Sequence, residues 1–276
     1  MTPVQFRKTV LAHYAKNNRP MPWRRTRDPY RILVSEVMLQ QTQVSRVLHF
    51  YKNFIKKFPD ARTLARAKTA DVLRAWQGLG YNRRALALQR LAQKVVAEYG
   101  GRLPRERAAL EALPGIGPYT AGAIRAFAFN EPEIFIETNI RRVFIHFFFP
   151  ANKTTKKRAK KVTDAELQRY IEETLDKKNL REWYYALMDY GAMLGEATRK
   201  SASTGNIGQN PNRRSAHYAR QSKFAGSDRE IRGKIVREML AKKRISTAAL
   251  LRSFGTENER AKKIFSQLVR EGFFTK

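Results

Sequence analysis

The sequence predicts an all-α protein, on three observations. Apolar residues recur at three- and four-residue spacing along most of the chain, the breaks between these runs carry helix-capping residues, and no segment of strand length alternates apolar with polar. The 276 residues are 42% hydrophobic, enough to build real cores.

From Val4 to Ala15 the pattern is that of a first amphipathic helix. Asp28-Pro29 is a strong start signal, because the Asp carboxylate accepts from free N–H groups and Pro suits the first helical position. Ile32, Leu33, Val37 and Met38 follow at helical spacing. Gln40-Gln41-Thr42 interrupts the run, and Val44, Val47, Leu48, Tyr51 and Phe54 mark the next helix. Thr69 caps a short helix through Trp76, and another runs from Arg83 to Tyr99. Helices from Glu106 to Leu113 and from Tyr119 to Phe129 flank the tight stretch Pro114-Gly115-Ile116-Gly117-Pro118. Thr163-Asp164 starts a helix to about Leu175, and Leu180 to Leu194 follows.

Two stretches break the pattern. Pro150 to Lys161 reads as a basic loop containing KKRAKK, and Glu196 to Asp228, rich in Ser, Asn, Gly and Arg, as an irregular connector. Helices are then expected from Ser227 to Lys242, after Ser246, and from Glu257 to Arg270, with Gly272-Phe273-Phe274 as a terminal strand. Three short helices and a strand suit a small winged-helix-like module over 226–276.

Fifty-five Lys and Arg against 24 Asp and Glu leave a net charge of +31. Such an excess concentrates polyanions, and nucleic acid comes first among them. No lipidation motif, membrane-length apolar run or secretory signal is legible, so a cytoplasmic protein, nucleoid-associated if bacterial, without a membrane partner is expected. The chain has no cysteine, which excludes disulfides, thiolate-bound zinc and cysteine-ligated clusters. Its four histidines, at 13, 49, 146 and 217, show no metal-ligand spacing, and no transition metal is expected.

The most specific local feature is LEALPGIGPYTAGAIRAFAF. Two glycines bracketed by prolines form a turn that opens a helix, so the N–H groups near Gly115, Gly117, Tyr119 and Thr120 are left to bind a phosphate. A second feature is Glu36 in RILVSEVMLQQTQV, among Ile32, Leu33, Val37 and Leu39. Periodicity alone leaves two readings: a solvated Glu at a helix edge, which it favours, or a carboxyl in an apolar pocket. In a pocket, desolvation would keep it protonated and able to serve as an acid.

The hairpin string LPGIGPYTAGAI resembles that of the helix–hairpin–helix DNA glycosylases, and SEVMLQQTQV is similar to the signature of their MutY-type adenine-specific branch. The resemblance covers about 1–195, strongly at 23–44, 76–84, 110–127 and 134–143. It implies an endonuclease III-like fold of two helical lobes, with 22–135 as one lobe and 1–21 with 136–225 as the other. It implies that Glu36 protonates the departing base, and that Gln41, with Leu39 and Thr42 nearby, fills the gap left by a flipped nucleotide. Tyr81 would intercalate, with Asn82 where members usually have a second Tyr, while Trp23, Arg24 and Asp189 would meet the extruded adenine. Lyase-type members carry a Lys where this chain has Tyr119, so a monofunctional enzyme is implied. In IFIETNIRRV, Glu137 replaces the family's Asp, reaching about one methylene further, and Asn139 beside it would hold a carboxylate or water.

The hairpin carbonyls of Leu113 and Gly115 would hold Na+ or K+, while Arg141, Arg142, Arg213, Arg214, Arg220 and Lys223 are candidate phosphate contacts. Gly195 stands where the first cysteine of an iron–sulfur cluster is usual; no cluster is expected, nor the family's further lesion-reading domain. The implied partner is duplex DNA with a mismatch or lesion, bound by a monomer. The favoured substrate is adenine opposite 8-oxoguanine or guanine. A thymine or uracil mismatch glycosylase and a non-catalytic DNA binder are the alternatives.

Overall fold

A computed structural model describes residues 1–150, 161–203, 210–219, 221–241 and 246–274. In chain order the helices are α1 (Pro3–Asn17), α2 (Pro29–Leu39), α3 (Val44–Lys57), α4 (Ala61–Arg66), α5 (Thr69–Trp76), α6 (Arg83–Tyr99), α7 (Arg107–Glu111) and α8 (Pro118–Ile124). They continue with α9 (Thr138–Phe148), α10 (Asp164–Thr174), α11 (Leu180–Ser203), α12 (Asp228–Ala241), α13 (Thr247–Arg252) and α14 (Asn258–Arg270). No strand forms among the described residues, only an isolated bridge between Val162 and Ser215. None of the described helices is long and apolar enough to cross a membrane.

The chain divides into two compact units, Met1–Arg24 with Ala121–Arg220 and Arg25–Thr120 with Gln221–Lys276. The first is built on aromatics. Phe6 of α1 meets Phe144, Phe147, Phe148 and Trp183 at ring-centroid distances of 5.1, 5.3, 5.0 and 5.8 Å, mostly edge to face, the arrangement ring quadrupoles prefer. Gly191 of α11 faces Asn139 so closely that a Cβ there would overlap the Asn139 carbonyl, and this lets α9 and α11 pack tightly. The second unit packs α2 to α7 around Leu33, Val47, Phe54, Leu64, Leu73, Trp76 and Leu91, all nearly inaccessible. Capping follows the sequence signals: Asp28 accepts from the Tyr30 and Arg31 amides, and Thr163 forms a reciprocal capping box with Glu166.

Four expectations are corrected. The helix from Leu180 runs on to Ser203, so Gly195 lies inside α11 rather than opening a loop. Glycine is tolerated there by close packing: a Cβ would come within 2.6 Å of the Arg142 guanidinium. The connector from Glu196 is thus partly helical, and it also holds a 3-10 turn at Pro211–Arg214. The terminal strand does not form. Phe273 N bonds Leu268 O at 3.0 Å and Gly272 N bonds Val269 O at 2.9 Å, a Schellman end to α14 with Phe273 and Leu268 buried.

The first lobe ends at Thr120 rather than 135, because Phe127 stacks on Tyr185 at 4.7 Å and Phe135 on Tyr184 at 4.0 Å, inside the other unit. Helices α12 to α14 group with the second unit: α12 packs on α5, Glu271 pairs with Arg83 and Arg232, and Arg90 donates to the Glu271 carbonyl at 2.6 Å. The KKRAKK run up to Lys160, Arg220, and Lys242, Lys243 and Arg244 lie outside the described residues.

Candidate active site

In the second unit, α2 carries Glu36 on its buried face, between Leu33 and Val37 and near Ile32 and Val34. The residue is 5% exposed, so the solvated-edge reading is excluded. The hairpin brings its partner: Tyr119, at the start of α8, donates its phenol to Glu36 Oε2 at 2.8 Å. The turn before it has the expected shape, with Gly115 at φ 81° and Ile116 N bonded to Leu113 O at 3.1 Å. That bond leaves the second lone pair of the Leu113 carbonyl for another donor or a cation. The next residue, Thr120, is buried, 3.5 Å from Gln40 Nε2.

Beyond Glu36, α2 ends at a turn in which Gln41 takes φ 53°, a left-handed conformation costly for a residue with a Cβ. Its side chain is exposed, whereas Leu39 and Thr42 are half-buried. Tyr81 is likewise left-handed, at φ 48°.

Both turns are tied by Arg84, a residue without a role in the sequence motifs. Its guanidinium donates to the carbonyls of Val37, Met38, Gln40 and Gly80 at 2.7, 2.9, 2.6 and 3.1 Å and to Thr42 Oγ1 at 3.0 Å. It lies 5.4 Å from the ring centroids of both Trp76 and Tyr81. Arg84 thus caps the free carbonyls of α2 and anchors the Gln40–Thr42 turn. Burial lowers its pKa to about 10, which leaves it charged at neutral pH. A signal was present: an arginine in the first turn of a helix opposes the helix dipole and calls for another reason to be there.

In the first unit Glu137 caps α9. Its Oε1 accepts from the Asn139 and Ile140 amides at 2.7 and 2.9 Å, and Oε2 lies 3.3 Å from Asn139 Nδ2. The extra methylene folds the carboxylate back onto its own helix end, the place a shorter Asp would also reach. Burial pushes its pKa up, against the pull of those two amides and of Arg142 and Arg141, and the net direction is upward. Arg142 in turn donates to Asn139 Oδ1 at 2.7 Å and Gly191 O at 2.6 Å.

Arg24 and Asp189 meet, but each occupies the other. Asp189 accepts from Arg24 Nη1 and Nη2, both at 2.8 Å, from Arg19 Nε at 2.6 Å and from Arg19 N at 3.0 Å. Four donors fill a carboxylate's lone pairs, so Asp189 orients Arg24 rather than presenting an open acceptor to a base. Nor is it the surface residue its helical position allowed, being 2% exposed. Burial pushes its pKa up, but the two arginines prevail and hold it below the usual range. Trp23 is buried beside them in sequence.

Among the candidate phosphate contacts, Arg141 is engaged by Asp164 in a two-point ion pair at 2.7 Å for both bonds, and Arg214 donates to the Phe149 carbonyl. Arg213 and Lys223 are exposed. Among the described residues no cluster of three His, Asp or Glu is arranged to hold a metal ion.

Comparison with known proteins places the chain in a family. Residues 34–169 match the model of the HhH-GPD superfamily of base excision DNA repair proteins. An adenine DNA glycosylase of Mycolicibacterium smegmatis is 36% identical over 238 residues, covering 82% of this chain and 78% of that protein. The human adenine DNA glycosylase is 43% identical over 147 residues, which are 50% of this chain and only 27% of the human one. A solved thermostable thymine-DNA glycosylase superposes with a TM-score of 0.60 at 30% identity, covering 69% of this chain and 86% of its own. The matched segment spans from about a quarter to about a half of the length of the human relative and of a Buchnera aphidicola one. The chain belongs to the HhH-GPD superfamily of base excision DNA repair proteins, as a MutY-like member.

Proposed function

We propose that the chain is a monofunctional DNA glycosylase that removes adenine from a mispair with guanine or 8-oxoguanine in duplex DNA. The observation that carries this is the buried Glu36 carboxyl bonded to Tyr119, which stands where a lyase would place its amine. In its acid form Glu36 donates a proton to a ring nitrogen of the base, and the C1′–N bond breaks with its electron pair leaving on the base. The sugar is left cationic, and the resemblance implies that the Glu137 carboxylate, held by the end of α9, would stabilise it. Water then adds to C1′ and yields its proton to the Glu36 carboxylate, restoring the acid. Tyr119 has no amine with which to form a Schiff base, so the backbone is left uncut.

The N–H groups around Gly115 to Thr120 would hold a phosphate, and the carbonyls of Leu113 and Gly115 a monovalent cation. The enzyme would act as a monomer, associated with DNA in the cytoplasm, and without a cysteine-ligated cluster, since none of its residues is cysteine. A second reading, thymine removal, is favoured by the solved thymine-DNA glycosylase. Duplexes with A·8-oxoguanine, A·G, T·G or U·G mispairs, incubated with protein and then alkali, separate the two. Scission at the adenine alone supports the proposal, and scission only at T or U replaces it. A protein that binds but cleaves none is a non-catalytic homologue.

A further inference from the structure

In the first unit a short strap, Asn210 to Ala216, packs along α9 around the 3-10 turn at Pro211–Arg214. Its two asparagines have no part in the sequence motifs, yet Asn212 is 4% exposed, deep burial for an amide. Asn212 Nδ2 donates to the Thr138 carbonyl at 2.9 Å, and Thr138 is the first residue of α9, directly after Glu137. Asn210 reaches the same turn. Its Oδ1 accepts from the Asn212 amide at 3.0 Å and from Arg142 Nε at 3.3 Å, and Arg142 in turn holds Asn139 Oδ1. Both asparagines thus bear on the turn whose N–H groups, from Asn139 and Ile140, hold the Glu137 carboxylate.

The strap is itself fixed at several points. Arg213 N bonds Asn210 O at 2.9 Å and Ser215 N bonds Asn212 O at 3.0 Å, which closes the turn. Val162 N then bonds Arg214 O at 2.7 Å, Ala216 N bonds Val162 O at 2.8 Å, and Ser215 between them is buried. Arg214 donates to the Phe149 carbonyl, at the far end of α9. A single bond such as that from Asn212 to Thr138 is worth little in net stability, because water serves the same carbonyl in the unfolded chain. What it supplies is a fixed distance between an anchored segment and the residue after Glu137. A glutamate has one more rotatable bond than an aspartate, so more of its placement must come from the groups around it.

We propose that Asn212, assisted by Asn210, is a positioning residue for the Glu137 carboxylate, holding the first turn of α9 where that carboxylate meets the cationic sugar. The inference rests on the reading of the chain as a glycosylase. It gives the segment after α11 a part in the excision step, beyond contact with phosphate.

The test compares two variants of the full chain, Asn212→Ala and Val162→Ala, the second trimming a buried side chain at the far anchor of the strap. Asn212→Ala should slow single-turnover adenine release at saturating enzyme by about ten- to a hundredfold, the cost of a small misplacement. Its affinity for a duplex carrying an uncleavable 2′-fluoro adenosine should stay within about twofold of wild type, the pattern of a group felt only in the transition state. Val162→Ala should lower the melting temperature and leave the rate unchanged. Hydrogen exchange of the Asn139 and Ile140 amides should quicken in Asn212→Ala and not in Val162→Ala. If Asn212→Ala does not fold, Asn210→Ala, which removes the acceptor of Arg142 Nε, is read in the same way. A wild-type rate, unchanged exchange, or a loss of rate that Val162→Ala shares in proportion to its lost stability overturns the proposal. Failure of the wild type to excise adenine would sink the functional reading instead, and the exchange rates would still test the hold on the first turn of α9.

Discussion

At the residue scale the proposed chemistry rests on a few polar groups taken out of water and then satisfied. Glu36 is the clearest, since a carboxyl this buried is costly unless its environment serves it. Glu36→Gln keeps the shape and removes the proton. Single-turnover adenine release should fall about a hundredfold or more, the usual worth of a general acid, while the circular dichroism spectrum is unchanged. Arg84 acts through geometry instead. Arg84→Lys keeps the charge but loses the fork that spans the end of α2 and Thr42. With the Gln40–Thr42 turn released, excision should slow by on the order of a hundredfold, the cost of a small misplacement, with a smaller change in thermal stability. Equal activity of this variant and wild type in stopped-time assays would remove Arg84 from the site.

At the scale of elements, α9 and α11 form a clamp. Asp189 of α11 ties down Arg24 and Arg19, and its depressed pKa makes a statement about stability. A carboxyl lowered in the folded state contributes stability that is fully present above its unfolded value, near 3.9, and is lost as pH falls through the folded value. Urea midpoints measured from pH 7 down to pH 2 should therefore drop on the acid side. Asp189→Asn should flatten that limb and cost roughly 3–5 kcal/mol at neutral pH, because it leaves Arg24 buried without its counter-charge. Glu137 has the opposite sign. Its raised pKa means that ionisation opposes folding, so it subtracts stability as pH rises from the unfolded value through the folded one. Gly191 sets the spacing of the clamp. Gly191→Ala forces α11 away from the Asn139 carbonyl and should cost about 1–3 kcal/mol, read as a lower melting temperature, together with reduced excision because Asn139 and Glu137 move with α9.

At the scale of the whole molecule, the net charge of +31 and the basic C-terminal helices are proposed to add to DNA affinity. Deleting the chain from Ser227 removes Arg229, Arg232, Lys234 and Arg237, so the slope of log affinity against log salt should become shallower by about one for each phosphate these side chains neutralise. Because Glu271 also pairs with Arg83 and its carbonyl receives Arg90, the same deletion should lower the urea midpoint. A truncated protein with wild-type midpoint and slope would show α12 to α14 to be bystanders.

What the sequence determined by itself was local. The capped starts of α2 and α10, the glycine turn before Tyr119 and the helical spacing of the cores depend on residues within a turn or two of each other, and periodicity reports these directly. The absence of cysteine and the excess of positive charge needed only counting. Whether Glu36 faced solvent or core was open to periodicity, since α2 is buried over most of its circumference, and the surrounding helices settled it. The rest of the site rests on contacts between distant positions. Tyr119 reaches Glu36 across 83 residues, Arg84 reaches the Val37 carbonyl across 47, and Arg24 reaches Asp189 across 165. No window of sequence contains both partners, and the charges of Arg24 and Asp189 look free until the fold joins them. The course of α11 through Gly195 and the end of α14 at Gly272 were decided in the same way, by what packs beside them: the Arg142 guanidinium in one case and the buried Phe273–Leu268 contact in the other.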